Sequence, residues 1–270
     1  MTVACAEKLA RLRQIMAGLP GAAVAFSGGA DSALLLKVAA EVLGDKVLAV
    51  TFRSLLNPPG EVDEAAAFAA AAGVKHLIVD IDPLGDEAFV ANTPLRCYHC
   101  KKKLMSLLID LARAHGYSQV LDGVNTDDDG DYRPGIRAAR ELGVQSPLHD
   151  AGLNKEEIRA LSRQMNLPTA AKPAAACLAS RFPYGTPITA DGLGRVARAE
   201  LFLQRQGFTQ VRVRSHGNLA RIEAPADEIA GLAAHGAAIA AQLKEFGFTY
   251  VALDLEGYRT GSMNETMDRA

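Results

Sequence analysis

The residues of this chain best equipped for chemistry stand together in one short run, Ser27-Gly28-Gly29-Ala30-Asp31-Ser32. An apolar segment leads into the run and a leucine-rich stretch follows at once, so the pattern predicts a strand-to-helix turn. Two glycines let the backbone approach an anion and adopt positive φ. The amides of the new helix's first turn point at that anion, and the helix dipole favours its charge. Ser27 and Ser32 add hydroxyl donors. The Gly-Lys-Ser/Thr ending of a Walker A loop is missing, with no lysine placed to hold a γ-phosphate, and the dinucleotide Gly-x-Gly-x-x-Gly is missing too. Asp31 would repel phosphate unless a cation lies between them, which assigns it to Mg²⁺ bridging phosphate oxygens. The plainer alternative is a turn with a capping aspartate.

Cysteines form the second chemical group. Cys177 sits in Lys172-Pro173-Ala174-Ala175-Ala176-Cys177-Leu178-Ala179-Ser180-Arg181-Phe182-Pro183-Tyr184-Gly185. Flanking Lys172 and Arg181 favour its thiolate, which would attack an acyl adenylate with AMP as leaving group. The alternative is a small buried apolar side chain. Cys97 and Cys100 form a Cys-x-x-Cys pair within Arg96-Cys97-Tyr98-His99-Cys100-Lys101. Such a pair serves zinc, iron-sulfur and redox sites alike, and a disulfide between the two is a further alternative. His99 is too close in sequence to complete a structural zinc site easily.

These residues need elements to position them. Ala22 to Phe26, Val47 to Phe52 and His76 to Ile81 read as strands, and Gln119 to Asp122 as a fourth. Helices are predicted from Asp31 to Val42, Glu61 to Ala72 and about Lys102 to His115, with an excursion from Asp82 to Leu95. Strands alternating with helices mean an α/β fold with a parallel sheet. Pro168, Pro173, Pro183 and Pro187 interrupt any continuous element. Beyond them the pattern predicts helix (Asp191 to Gln206), strands (Val211 to Arg214 and Ala220 to Glu223), helix (Ala226 to Phe246) and strand (Tyr250 to Leu255). Two domains are therefore expected, 1–185 with the cysteine-bearing linker and 186–270, a smaller α+β unit near the lower size at which a domain folds alone.

Composition excludes several classes of function. The chain has 270 residues, 49% apolar and 22% charged, with net charge −2, which is an ordinary globular balance. Four cysteines in this length make no disulfide framework and suggest thiols kept reduced in a cytoplasm. The opening segment has no uninterrupted apolar core of a signal peptide, and no apolar run reaches a membrane span. Mixed charge and a pI near 6.3 argue against a nucleic-acid footprint.

The Ser-Gly-Gly-x-Asp-Ser run resembles the pyrophosphate loop of the PP-loop ATP pyrophosphatases, the superfamily of NAD and GMP synthetases and several tRNA-modifying enzymes. The resemblance implies that Ser27, Gly28, Gly29, Asp31 and Ser32 grip the pyrophosphate of ATP while a substrate oxygen attacks the α-phosphorus. It places Thr51 and Phe52 against the adenosine, at the sheet's carboxyl edge where open α/β sheets bind ligands. Asp122-Gly123-Val124-Asn125-Thr126-Asp127-Asp128 resembles the superfamily's second nucleotide motif, with Asn125 and Thr126 as binding residues; an aspartate-rich turn capping a helix is the alternative.

Together with the two cysteine motifs, the loop resembles the LarE family of ATP-dependent sulfur transferases, from about Leu12 to Met263. That family makes part of the nickel-pincer nucleotide cofactor. The resemblance implies adenylation of a pyridinium dicarboxylate mononucleotide and replacement of the activated oxygen by sulfur. In one branch the sulfur is the enzyme's own cysteine, matched by Cys177, which ends as dehydroalanine. In another, three cysteines hold a [4Fe-4S] cluster that carries an extra sulfide; Cys97, Cys100 and Cys177 would be its ligands. A substrate with phosphate and carboxylates calls for arginine forks, and Arg181, Arg212, Arg214 and Arg259 are the candidates. On a strand Arg212 and Arg214 share one face, which is otherwise a solvated edge. Glu200 and Glu223 would orient these arginines or bind a cation, with a surface carboxylate as the alternative for each. Other nickel-pincer pathway enzymes are the expected functional partners, and the alanine- and leucine-rich C-terminal helices suit packing in a homo-oligomer. A tRNA thiolation enzyme and an ATP-binding module without catalysis are the competing readings.

Overall fold

The computed structural model describes residues 3–130, 133–173, 176–259 and 261–264. Ala174 and Ala175 of the cysteine-bearing segment lie outside the described residues. The chain divides into two compact units. The first comprises Met1–Ser54, Gly60–Ile81 and Leu95–Ala175; the second comprises Leu55–Pro59, Asp82–Pro94 and Ala176–Ala270.

The first unit is the expected α/β fold. It runs α1 (Val3–Ala17), β1 (Ala22–Ala25), α2 (Ala30–Leu43), β2 (Val47–Arg53), α3 (Glu61–Ala71) and β3 (Lys75–Asp80). The second unit's short α4 (Glu87–Val90) intervenes before α5 (Arg96–Ala114), β4 (Val120–Leu121), α6 (Pro134–Glu141), α7 (Pro147–Asp150) and α8 (Lys155–Gln164). The four strands are parallel in the order β3-β2-β1-β4. Because the chain steps from β1 outward through β2 to β3 and then returns to β4 on β1's other side, the strand order reverses between β1 and β4. That switch point is where open α/β sheets leave a crevice at their carboxyl ends.

Burial explains the local structure. β1 is apolar throughout and its first three residues are buried, as for a parallel strand covered on both faces. In α2, Leu34, Leu35 and Leu36 are all fully buried, so the helix buries a wide apolar face behind the glycine turn and leaves a narrow polar stripe with Lys37 and Glu41 toward solvent.

The predicted strands and α2 and α3 stand within a residue or two of expectation. In the first unit two expectations need correction. The helix expected from Lys102 begins at Arg96, so Cys97 and Cys100 lie on its first two turns and not in a preceding loop. Tertiary packing supports those turns: the Tyr98 ring has the Arg137 guanidinium 4.6 Å from its centroid, and its hydroxyl donates to Glu141 at 2.6 Å. Helices α6, α7 and α8 fill a stretch for which the sequence pattern predicts no element.

The second unit continues with α9 (Ala190–Arg205), β5 (Arg212–His216), β6 (Leu219–Glu223), α10 (Ile229–Ala234), α11 (Gly236–Glu245) and β7 (Tyr250–Leu253). Its sheet has the order β5-β6-β7, antiparallel between β5 and β6 and parallel between β6 and β7. The single helix expected from Ala226 to Phe246 is two, broken at His235. Gly231 and Gly236 weaken a continuous helix there by roughly 1 kcal/mol each relative to alanine.

Candidate active site

The glycine turn follows β1 in the first unit. Gly28 takes φ +72°, and a Cβ there would stand 3.0 Å from the Cβ of Ala65 and 3.3 Å from its Cα. Glycine is thus required twice, by conformation and by space. Gly29 begins α2 with no side-chain cap on the helix's first amides, leaving the positive end of a 14-residue helix to face the turn. The serines brace the loop. Ser32 Oγ donates to the Gly29 carbonyl at 3.2 Å, so in the 3.1 Å contact between the two hydroxyls it is Ser27 that donates.

Two lysines bracket this turn. Lys155 Nζ donates to Asp31 Oδ2 at 3.0 Å. Lys172 Nζ donates to the Gly28 carbonyl at 3.2 Å and pairs with Glu64 Oε2 at 2.8 Å. Sequence reasoning missed Lys155 altogether and placed Lys172 beside Cys177. Lys172 bonds the glycine turn, in the same unit as Gly28. A signal for Lys155 exists in the sequence: Asn154 and Glu157 form a reciprocal capping box, so the lysine between them is the first residue of α8, aimed from a helix start.

The motif after β4 lies against the turn. A Cβ on Gly123 would stand 3.1 Å from the Ser32 amide nitrogen, so the two loops meet at the switch point. Asn125 and Thr126 spend their side chains on the loop's own shape. Asn125 Oδ1 accepts from the Asp127 amide at 3.1 Å, and Thr126 Oγ1 donates to the Leu153 carbonyl at 3.1 Å. Asp127 Oδ2 accepts from the Lys155 amide at 3.0 Å, which ties this motif to the start of α8.

Thr51 is buried at the end of β2, and its hydroxyl donates to the Phe26 carbonyl at 2.6 Å. Its single proton is thereby used, so in the 2.8 Å contact with His76 Nε2 the imidazole donates. Burial pushes the His76 pKa down. Phe52 points to the sheet's other face, packed against the cluster of Leu48, Val50 and Leu108.

In the second unit Cys177 is exposed and caps the 3₁₀ turn Leu178–Arg181. Arg181, only 1% exposed, forks onto Glu200 at 2.8 and 2.9 Å and donates from its third nitrogen to the carbonyls of Ala176 and Cys177 and to Ser180 Oγ. All three nitrogens are engaged by protein acceptors, and the guanidinium lies within coulombic reach of Cys177. Arg181 therefore shapes the cysteine turn.

Arg212 and Arg214 are both buried on β5, which corrects the alternative of a solvated edge. Arg214 bonds Glu223 Oε2 at 2.6 and 3.0 Å and the Ser180 carbonyl at 3.0 Å. Arg212 lies over the Tyr258 ring at 5.5 Å. Burial and then the charge of Arg181 push its pKa down, so an anion beside it would relieve both. Glu200 and Glu223 are buried and orient arginines, the first of the two roles expected of them. Arg259 is half-buried and pairs with Glu256 at 2.9 Å.

The donor sets decide which inorganic groups fit. Asp31 Oδ1 is buried without a hydrogen-bond partner, an oxygen of the kind a hard cation takes, and Mg²⁺ needs only one or two carboxylates besides substrate phosphates. Asp31 fits. For the iron-sulfur cluster, Cys97 and Cys100 supply two thiols in the first unit. Among the described residues no group of three or more His, Cys, Asp or Glu side chains that could hold a metal ion is found, and Cys177, the third thiol of that expectation, lies in the second unit. Among those residues, too, no helix is long and apolar enough to cross a membrane.

A family model described as queuosine biosynthesis protein QueC matches residues 21–95, the stretch that carries the glycine turn. A glutamine-hydrolyzing GMP synthase component of Thermoplasma acidophilum is 30% identical over 56% of this chain and 53% of its own. An uncharacterized protein of Synechocystis sp. is 46% identical over 97% of this chain and 99% of its own. The pyridinium-3,5-bisthiocarboxylic acid mononucleotide synthase of Lactiplantibacillus plantarum is 41% identical over 98% of this chain and 96% of its own. That likeness spans both units, glycine turn and cysteine turn alike, and the chain belongs to the LarE family of PP-loop pyridinium-3,5-bisthiocarboxylic acid mononucleotide synthases.

Proposed function

We propose that this protein adenylates a carboxylate of pyridinium-3,5-biscarboxylic acid mononucleotide with ATP and replaces the activated oxygen with the sulfur of Cys177. The observation that carries the reading is the glycine turn flanked by Lys155 and Lys172, with Asp31 offering a buried, unpartnered oxygen beside it. Phosphate oxygens would take the place of the lysines' present acceptors, and the amides of Gly29 to Ser32 would hold the departing pyrophosphate. Mg²⁺ on Asp31 would supply charge neutralisation for that leaving group. Thr51, Phe52, Asn125 and Thr126 shape the nucleotide side.

The chemistry then balances without an external oxidant. A carboxylate oxygen attacks the α-phosphorus and pyrophosphate leaves. The Cys177 thiolate attacks the acyl carbon of the mixed anhydride and AMP leaves, giving a thioester. Loss of the Cys177 α-proton and cleavage of its Cβ–S bond release the thiocarboxylate and leave dehydroalanine. Arg212, Arg214 and Arg259 would receive the substrate's phosphate and carboxylates, and Arg181, Glu200 and Glu223 would hold the cysteine turn and these forks in place. The product would pass to other enzymes of nickel-pincer biosynthesis, in the cytoplasm, from a homo-oligomer.

Intact-protein mass after incubation with ATP, Mg²⁺ and the dicarboxylate tests this. The expected result is a loss of about 34 Da, the mass of H₂S, in stoichiometric yield. Cys177→Ala is expected to abolish sulfur transfer and still release pyrophosphate; loss of both activities overturns the division of labour. The Cys-x-x-Cys pair at the start of α5 keeps the cluster-borne sulfide as a second reading, and unchanged mass with bound iron and brown colour would favour it. Salt-sensitive tRNA binding would favour the thiolation enzyme, and ATP bound without cleavage would favour a non-catalytic module.

A further inference from the structure

The C-terminal segment makes contacts that the reaction above does not use. Ser262, buried on the 3₁₀ turn Ser262–Asn264, donates its hydroxyl proton to Glu223 Oε1 at 3.0 Å and accepts from Arg214 Nη2 at 3.2 Å. The direction is fixed because a guanidinium only donates and a carboxylate only accepts. Glu223 is 0% exposed, and its Oε1 also takes Arg221 Nη2 at 3.0 Å. Arg214, so held, donates from Nη1 to the carbonyl of Ser180, in the turn that follows Cys177. Two residues further on, Asn264 Oδ1 accepts from the hydroxyl of Tyr184, just beyond the same turn, at 3.1 Å.

The geometry points to residues 262–264 as a clasp that positions the Cys177 turn: Ser262 acts through Arg214 on the Ser180 carbonyl, and Asn264 acts through Tyr184 on the turn's far side. Ser262 is thus a positioning residue. Without the Ser262 hydroxyl, Arg214 keeps its two bonds to Glu223 Oε2, but Nη2 loses its second acceptor and Glu223 Oε1 loses a donor, so the pair that holds the Ser180 carbonyl is free to shift. The Ser180 carbonyl, and Cys177 with it, then shifts from its place beside Arg181, which Glu200 holds independently. The role in sulfur transfer rests on the function proposed above; the positioning itself does not.

The test compares whole wild-type protein with Ser262→Ala, Ser262→Thr and Tyr184→Phe. Peptide-resolved alkylation by iodoacetamide, without ATP or substrate, reads Cys177, and exposed Cys97 in the first unit is the internal reference. Ser262→Ala is expected to slow Cys177 alkylation about tenfold, the effect of one hydrogen bond to a charged group, with Cys97 unchanged. Ser262→Thr keeps the hydroxyl and should restore the rate; Tyr184→Phe should slow it less. In the single-use reaction with ATP and the dicarboxylate, Ser262→Ala should slow sulfur transfer from Cys177. Equal Cys177 rates in all four proteins, or a loss that Ser262→Thr does not restore, overturns the clasp. Should Ser262→Ala fail to fold, Tyr184→Phe decides by the same readout. Altered alkylation without sulfur loss from Cys177 would keep the clasp and remove the proposed function; unaltered alkylation with sulfur loss would do the reverse.

Discussion

Asp31 shows how a single side chain divides its work. One oxygen is tied to Lys155, and the other is buried without a partner, a state that costs free energy unless a ligand completes it. Asp31→Asn keeps the shape and removes the charge. It is expected to lower Mg²⁺-dependent pyrophosphate release by about 100-fold or more while leaving the protein folded, since cation stabilisation of a leaving group is worth several kcal/mol; a coupled pyrophosphatase assay reads this. Gly28 is a separate case. Alanine there needs φ +72° and pushes against the Ala65 backbone, so Gly28→Ala should destabilise the first unit by about 1–3 kcal/mol in denaturant unfolding and abolish ATP cleavage. Asp31 and Gly28 are legible in the sequence because their reason for being there is local. Which glutamate takes which arginine, Glu200 with Arg181 and Glu223 with Arg214, is not, because each pairing depends on where another element passes.

Elements were legible in proportion to how far their own periodicity determines them. The alternation of apolar strands with α2 and α3 shows the parallel sheet, and with it the crevice. The first turns of α5 are fixed by Arg137 and Glu141 on α6, which no local pattern reveals. The start of α8 was open to reading through its capping box. Asn154→Ala removes that box and should cost about 1 kcal/mol in thermal or denaturant unfolding; because Lys155 is the next residue, it should also raise the KM for ATP. β3 carries a pH dependence. His76, half-buried beside Thr51, has a pKa below its ordinary 6.5, so the unfolded chain binds its proton first. Stability contributed by the neutral ring is complete above about 6.5 and is lost as pH falls below it. Unfolding midpoints between about pH 7 and 5 should therefore fall for the wild type, and His76→Gln should flatten that slope; an unchanged slope would mean that other groups carry it.

At the scale of the molecule, the second unit is not simply the chain's C-terminal portion. It takes in Leu55–Pro59 and Asp82–Pro94 from the midst of the first unit's sequence. Within it, the Leu178 amide donates to the Leu56 carbonyl, Gly185 to Asn92 and Ile188 to Val90. Asn92, buried at φ +51°, bonds the carbonyls of Pro183 and Thr186. A fragment of residues 186–270, the domain that composition suggests, would lack all these partners together with Arg181. Glu200, 3% exposed, would lose its guanidinium at a cost of about 3–5 kcal/mol. Buried Phe89, Leu178 and Phe182 would be absent, at about 1.5–3 kcal/mol each. Those losses are of the same size as the roughly 5–15 kcal/mol that holds a whole domain together. The fragment is therefore expected to show no cooperative transition in a denaturant titration followed by circular dichroism. A sigmoidal transition with the slope of a folded domain of that length would show that the cysteine turn and the two excursions are dispensable, and that the second unit folds on its C-terminal sequence alone.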